Sequence, residues 1–346
     1  MNTFLKNLTI VALGIFSFAV SKKTKPNVVL AFRKLHFLTN GRFNDFIHFF
    51  IRKFNPKINF SEEGLISEKL KISLPEIKNQ LVEDGYYIFN EIIPKEICES
   101  IYQFALSTPA DTVPPIYENE IKLTHYDPSK PLAGGYLFRP SIPESALMMQ
   151  SNRELQKIIF DTSLSLLAQE YLGCSPILVA PGRLWWSTTW QGNESKSKLS
   201  KDRLAQFFHT DMARIKFLKF FVYLTDVSEK TGPFCFIKGS HKQKPRKLSR
   251  DGRISDREVA RYYTDENFIE FTAKKGSIIA VDSRGLHKGK TPSKNHRLIF
   301  ELEYANSLFV APYYPCSTKL RVEPNQKSKI SKYPRTFGPL FKNSSL

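Results

Sequence analysis

Gln206-Phe207-Phe208-His209-Thr210-Asp211 ends an apolar, aromatic stretch with an imidazole and a carboxylate two residues apart. On a strand, residues i and i+2 point to the same side. An extended backbone here therefore aims His209 and Asp211 into one cavity. A third ligand type, His287, follows in Asp282-Ser283-Arg284-Gly285-Leu286-His287, and Arg297 comes ten residues later in the strand-like run His296-Arg297-Leu298-Ile299-Phe300-Glu301-Leu302. His287 must reach the cavity from a different strand, which only a closed or sandwiched sheet provides. Two imidazoles and one carboxylate suit a mononuclear non-haem Fe(II) with positions left open for a cosubstrate and O2. A guanidinium beyond the distal His suits the far carboxylate of 2-oxoglutarate, because its planar fork matches a carboxylate with two hydrogen bonds.

An H-x-D pair alone is weak, and a structural pair or a surface turn is its commoner meaning. The chain has seven histidines, so accidental pairs are cheap. The offset to Arg discriminates. His241 has Asp251 ten residues on, and His296 has Asn306. Downstream of the pair, only His287 has a base at that offset. His241 lies in the turn-like Lys238-Gly239-Ser240-His241-Lys242 and reads as a loop residue near the site. His36, His48 and His125 precede the core pattern or lie in polar loops, and no chemistry is assigned to them.

The resemblance that these residues open is an ordered series. Leu81-Val82-Glu83-Asp84-Gly85-Tyr86-Tyr87-Ile88 and Ile93-Pro94-Lys95-Glu96-Ile97-Cys98 come first, then Leu167-Ala168-Gln169-Glu170-Tyr171-Leu172-Gly173. His209-Thr210-Asp211, the strand Lys219 to Leu224, Thr225-Asp226-Val227, Gly232-Pro233-Phe234, Gly239-Ser240-His241 and the His287/Arg297 pair complete it. The chain resembles the phytanoyl-CoA dioxygenase (PhyH) family of Fe(II)/2-oxoglutarate oxygenases over roughly residues 75–306. The resemblance implies a mainly β fold with flanking helices and a double-stranded β-helix (jelly-roll, cupin-like) core. It implies iron on His209, Asp211 and His287, 2-oxoglutarate on Arg297, O2 as second cosubstrate and ascorbate as an auxiliary reductant. Related halogenases replace the carboxylate ligand with a small residue. Asp211 is present, so the resemblance favours hydroxylation. The Lys- and Ser-rich stretch from Gly192 to Lys201 departs from the family pattern at the mouth of the pocket.

The substrate does not carry over, and a lipid, an acyl thioester and a small metabolite all fit an aromatic-rich neighbourhood. Lipid is slightly preferred, on the apolar N-terminus alone. Two rival functions remain: a non-catalytic barrel used as a binding module at a membrane, and a cupin-like metalloenzyme that needs no 2-oxoglutarate.

The net charge of +18 is unevenly spread. Residues 1–60 carry +9 and residues 319–346 carry +6, which leaves +3 for the 258 residues between them. Basic ends are commonly solvated. Attraction to anionic lipid is the rival reading, and no recognition motif supports nucleic acid as a partner. Cys98, Cys174, Cys235 and Cys316 are widely spaced with no C-x-x-C pair, so buried thiols are expected rather than a disulfide framework or a zinc ribbon. A hydrophobic share of 41% allows a sizeable soluble core.

The chain divides into a basic, Phe-rich extension (1–60), an oxygenase domain (61–318) and a basic tail (319–346) rich in Lys, Ser and Pro, for which disorder is expected. The apolar run Leu8 to Val20 is short for a spanning helix. Lys22, Lys23 and Lys25 follow it and disfavour export. The reading is a cytoplasmic catalytic domain that touches a membrane through residues 1–60. Phenylalanines interleaved with bases over residues 28–60 fit interfacial helices or helices packed outside the barrel.

Elsewhere, Glu96–Leu106 and Asn152–Tyr171 read as helices, the latter stopped by Gly173. Residues 107–150 read as a long loop bordering the pocket. Residues 177–190 read as strands broken at Pro181-Gly182, with Arg183, Trp185 and Ser187 on one face. If that face looks inward, Arg183 and Trp185 line the substrate pocket. Runs 218–224 and 277–282 read as strands. In Arg297–Tyr304 the apolar even positions pack on helices, and Arg297 and Glu301 look inward. A salt bridge between those two is the bland alternative to 2-oxoglutarate.

Overall fold

The computed structural model describes residues 3–113, 123–129, 135–138, 143–189, 206–311 and 322–341. Gly192 to Lys201 and Cys316 lie outside them. Helices α1 (Thr3–Ser21), α2 (Pro26–Thr39), α3 (Arg42–Phe54) and α4 (Ser67–Glu83) lead into strand β1 (Tyr86–Phe89) and α5 (Lys95–Ser107). Strands β2 (Ala110–Val113), β3 (Leu123–Thr124) and β4 (Gly135–Phe138) precede α6 (Pro143–Ser151), α7 (Arg153–Ile159) and α8 (Thr162–Leu172). Then come β5 (Ile177–Leu178), β6 (Arg183–Thr188), β7 (Phe217–Tyr223), β8 (Phe234–Ile237), β9 (Phe268–Phe271), β10 (Ile278–Val281), β11 (His287–Gly289) and β12 (His296–Ala305).

Among the described residues, a nine-stranded sheet runs β1-β10-β7-β12-β6-β4-β2-β3, with β5 also on β12. A second sheet runs β11-β8-β9. Every pairing between these strands is antiparallel. Period-two alternation builds the layers. Leu218, Phe220 and Val222 of β7 and Leu298, Phe300, Leu302 and Tyr304 of β12 pack on Ile77, Ile101, Leu155, Leu164 and Leu167 of the helices. The opposite face gives Phe221, Tyr223 and Ile299, which meet Phe234, Phe236 and Phe271 of the small sheet. The core is thus a jelly-roll sandwich with helices on the back of the large sheet. Among the described residues the two sheets are not joined edge to edge into a closed barrel.

Gly276 shows how tightly the turns are built. Its φ is +87°, and a Cβ there would lie 2.3 Å from the Ile93 carbonyl oxygen. Its own carbonyl accepts hydrogen bonds from Ile92 and Ile93 N–H, both at 2.9 Å. That contact pins the entrance to α5 against the start of β10.

Four expectations need correction. Asn152–Tyr171 is two helices, because Asp161 caps α8 by accepting from Leu164 N–H at 2.8 Å. Residues 107–150 are not one loop: β2, β3, β4 and α6 fall within them. The tail is ordered where described, since a helix at Pro324–Lys332 buries Ile330, and Tyr333, Phe337 and Leu340 join the main core. Finally, the apolar run at Leu8–Val20 belongs to a longer helix. With 19 residues, α1 is long and apolar enough to cross a membrane. Helices α2 and α3 pack on the body through Phe32, Leu35 and Phe43, which meet Met212, Ile215, Phe309 and Val310.

Candidate metal centre

The site begins at a two-residue ladder between chain segments far apart in sequence. His209 and His287 exchange backbone hydrogen bonds, each N–H donating to the other's carbonyl at 3.0 Å. Asp211 N–H donates to Ser283 O at 3.0 Å. The segment 206–211 and the start of β11 thus face each other, and their side chains converge. The imidazole centroids are 4.2 Å apart. His287 stacks on Phe234 at 5.3 Å.

Each ring is oriented by its own chain. His209 Nδ1 lies 3.0 Å from Phe207 O, and His287 Nδ1 lies 3.0 Å from Gly285 O. A carbonyl only accepts, so Nδ1 carries the proton and each Nε2 keeps its lone pair. Those Nε2 atoms point at Asp211, at 3.7 Å from Oδ1 for His209 and 3.4 Å from Oδ2 for His287. One ligand atom from each of the three residues fits within 4.8 Å. That donor set, two neutral imidazoles and one carboxylate, fits a divalent first-row metal such as ferrous iron.

The charge states agree with that use. Burial pushes the His209 imidazole down to about 3, so it stays neutral. Burial alone would raise the Asp211 carboxyl. The Lys219 ammonium outweighs it and holds Asp211 well below the usual carboxylate range. Asp211 Oδ2 accepts from Lys219 Nζ at 2.8 Å and from Ser283 Oγ at 2.8 Å.

Lys219 is a site residue that the sequence reading missed. It sits on β7, 7% exposed, and also meets Glu301 Oε1 at 3.0 Å and Glu303 Oε2 at 3.8 Å. Its signal was its parity: Lys219 shares a strand face with Phe221 and Tyr223 in an otherwise apolar run. A second missed group is the buried pair Asp282–Arg284. Arg284 Nη2 donates to Asp282 Oδ2 at 2.7 Å, and Tyr171 Oη donates to the same oxygen at 2.5 Å. This pair fixes the turn that carries Ser283 and His287.

Arg297 is buried and looks between the sheets. Its Nη1 donates to Gly232 O, and its Nη2 to Ser187 Oγ at 3.2 Å. Nε has no partner. Burial pushes the guanidinium's pKa down. Among the described residues no carboxylate pairs with it, and Glu301 turns instead to Lys219 and to Arg183 at 3.7 Å. The Arg297–Glu301 bridge is therefore not formed. A buried guanidinium without a counterion suits an incoming carboxylate.

Arg183 joins the charged strip through Glu301, while Trp185 packs edge-on against Phe221 at 6.2 Å in the apolar part of the interior. His241 is outside the ligand group, and its Nε2 lies 3.0 Å from Val82 O. His36 and His48 are held by Asn44 at 3.0 Å and Asn306 at 2.9 Å. Cys98, Cys174 and Cys235 are free, buried thiols.

The family profile of phytanoyl-CoA dioxygenase (PhyH) matches residues 81–297. The chain belongs to the PhyH family. Its members' activity is 2-oxoglutarate-dependent oxygenase chemistry with iron, and this chain is an enzyme of that general type. Among curated proteins none matches. Solved structures that resemble this PhyH chain include the nogalamycin epimerase SnoN, at 14% identity over 68% of this chain and 84% of that one, with a TM-score of 0.45. EctD from S. alaskensis with bound Fe gives 16%, 78%, 93% and 0.44. HygX from Streptomyces hygroscopicus with nickel and 2-oxoglutarate gives 12%, 70%, 88% and 0.40. These are distant likenesses.

Proposed function

We propose that this PhyH protein hydroxylates a C–H bond of a small organic substrate, with Fe(II) held by His209, Asp211 and His287 and 2-oxoglutarate held by Arg297. The observation that carries the reading is the convergence of three ligand atoms within 4.8 Å, with both Nδ1 atoms tied back to carbonyls. Asp211 supports hydroxylation over halogenation, since the relatives that halogenate leave that position to a small residue.

Iron and 2-oxoglutarate, when bound, supply the oxidising chemistry: O2-driven decarboxylation of 2-oxoglutarate to succinate and CO2 delivers an oxygen atom to the substrate. The chain's own residues hold and orient. His209 and His287 present unprotonated Nε2 atoms. Lys219 and Ser283 hold one Asp211 oxygen and steer its carboxylate. Arg297 pairs with the distal carboxylate of 2-oxoglutarate. Phe221, Tyr223, Phe234 and Ile299 line a water-poor interior. Arg183 and Trp185, which share one face of β6, are assigned to the substrate pocket in this reading. No side chain is needed as general acid or base.

The test is Fe(II)-dependent conversion of 2-oxoglutarate to succinate by purified protein, first uncoupled and then with lipid, acyl thioester and metabolite panels. Succinate that disappears in His209→Ala and an 18O label passing from O2 into product support the reading. A folded, iron-loaded protein that makes no succinate with any panel would favour a binding module. Turnover indifferent to 2-oxoglutarate and to Arg297→Ala would favour a cupin-like metalloenzyme.

A further inference from the structure

Helix α1 is apolar on nearly every side, and little of it is covered. Lys6 is its one charged residue, and only Asn7, Val11 and Gly14 are buried. Leu13, Phe16 and Val20 are 67%, 75% and 79% exposed. A helix that is hydrophobic all round belongs in a core or in lipid, and only the stripe Leu8, Ile10, Val11 and Phe18 of α1 packs on the protein's apolar cluster. Its 19 residues span about 28 Å at ~1.5 Å per residue, close to the ~30 Å of a hydrocarbon layer.

Helix α3 makes a second, independent observation. Phe43, Asn44 and His48 face the body, while Phe46, Phe49, Phe50 and Phe54 face out. Arg52 and Lys53 lie over the Phe49 ring, at 5.4 and 4.4 Å from its centroid. Aromatic rings interleaved with cations fit the headgroup level of a bilayer, where rings enter the acyl boundary and cations meet phosphates. Lys22, Lys23 and Lys25 follow α1 directly, and residues 1–60 carry +9. That charge selects an anionic lipid surface over an apolar protein partner.

The helices are fixed to the catalytic body rather than tethered. Gly14 lets α1 close on α2, where a Cβ would meet Val28 Cγ1 at 2.4 Å. Helix α2 shares an apolar cluster with Met212 and Ile215, just after Asp211. Asp45 of α3 pairs with Arg284 at 3.3 Å.

We propose that α1 and the phenylalanine face of α3 seat the enzyme on an anionic lipid bilayer, α1 in the hydrocarbon and α3 at headgroup level. The proposal is independent of the oxygenase chemistry, because docking is read without metal.

The experiment is flotation of the purified full chain on phosphatidylcholine vesicles with and without phosphatidylglycerol, at low and high salt. Flotation on the anionic vesicles, weakened by salt, is expected. Phe16→Asp combined with Val20→Asp lowers partitioning by about tenfold or more, and Phe49→Ser with Phe50→Ser lowers it less. These positions are exposed, so unchanged melting curves show that the variants fold. Wild-type protein that floats on neither vesicle overturns the proposal. So does a soluble oligomer whose dissociation, seen by light scattering, requires the same Phe16→Asp and Val20→Asp changes. Variants that float as well as wild type also overturn it.

Discussion

Lys219 Nζ lies 2.8 Å from Asp211 Oδ2, so one candidate metal ligand is salt-bridged to a buried ammonium. The same ammonium meets Glu301 at 3.0 Å. Burial would lower the Lys219 pKa, but Asp211, Glu301 and Glu303 outweigh it and keep the lysine charged. The site is therefore a charge-balanced strip in which a cation near Asp211 is already accommodated.

Lys219→Met should expose that balance. Removing one partner of a buried ion pair typically costs about 3–5 kcal/mol, and here it leaves Asp211 and Glu301 short of a counter-charge. Metal-free protein should melt well below wild type. Saturating Mn(II) should recover part of the gap, because the ion supplies positive charge beside Asp211. Thermal unfolding with and without Mn(II) checks this. An equal loss in both conditions would reduce Lys219 to a packing role.

Arg297 separates stability from function. Arg297→Met removes a buried charge that has no carboxylate partner, so the ligand-free variant should stay within about 1 kcal/mol of wild type. The same change should raise the KM for 2-oxoglutarate by roughly 10–100-fold, the worth of hydrogen bonds to a charged group. It should also abolish the rise in melting temperature that 2-oxoglutarate gives wild type. A KM left unchanged would remove Arg297 from the cosubstrate site.

Much of this arrangement was legible in residue parity. The alternation of β6 and β12 placed side chains on the correct faces, because a strand's period is fixed by its backbone, whereas His209 and Asp211 converge from a segment that makes only isolated bridges. The parity of Lys219 in Phe217–Tyr223 marks it as inward-facing, but a lone Lys says nothing about its partners until Asp211 and Glu301 fold against it. Asp161 was read through, although an Asp before an apolar run is a cap signal. In the tail, Lys and Ser content hid the spacing of Ile330, Tyr333, Phe337 and Leu340, which buries that face on the core. Lys6 and Asn7 hid the true start of α1.

Four histidines should make the fold acid-sensitive above the carboxylate range. Burial pushes His36, His48 and His209 down to about 3, and His241 to about 4. Each has a folded pKa below its unfolded value near 6.5. The unfolded chain therefore takes up more protons as pH falls. Stability is full above about 6.5 and declines toward 3–4, by up to about 1.4 kcal/mol per pH unit for each ring. Urea midpoints of metal-free protein should fall from pH 7 to pH 5 at constant m-value. A flat profile would contradict the burial of these rings.

Arg284→Met should cost about 3–5 kcal/mol, because it strands Asp282 at 0% exposure with Tyr171 as its remaining side-chain donor. It should also weaken metal binding, since Ser283 and His287 ride on the same turn. Urea unfolding and Mn(II) titration check the two effects. Unaltered Mn(II) affinity in the destabilised variant would show that the turn is held by other contacts.

The most direct test of the centre is anaerobic titration of purified protein with Fe(II) and then 2-oxoglutarate, read as the weak visible charge-transfer band of the iron chelate. The account predicts a band in wild type that is lost in Asp211→Ala and weakened in Arg297→Ala. Folded, iron-loaded wild type without the band, or a band indifferent to Asp211→Ala, would contradict it.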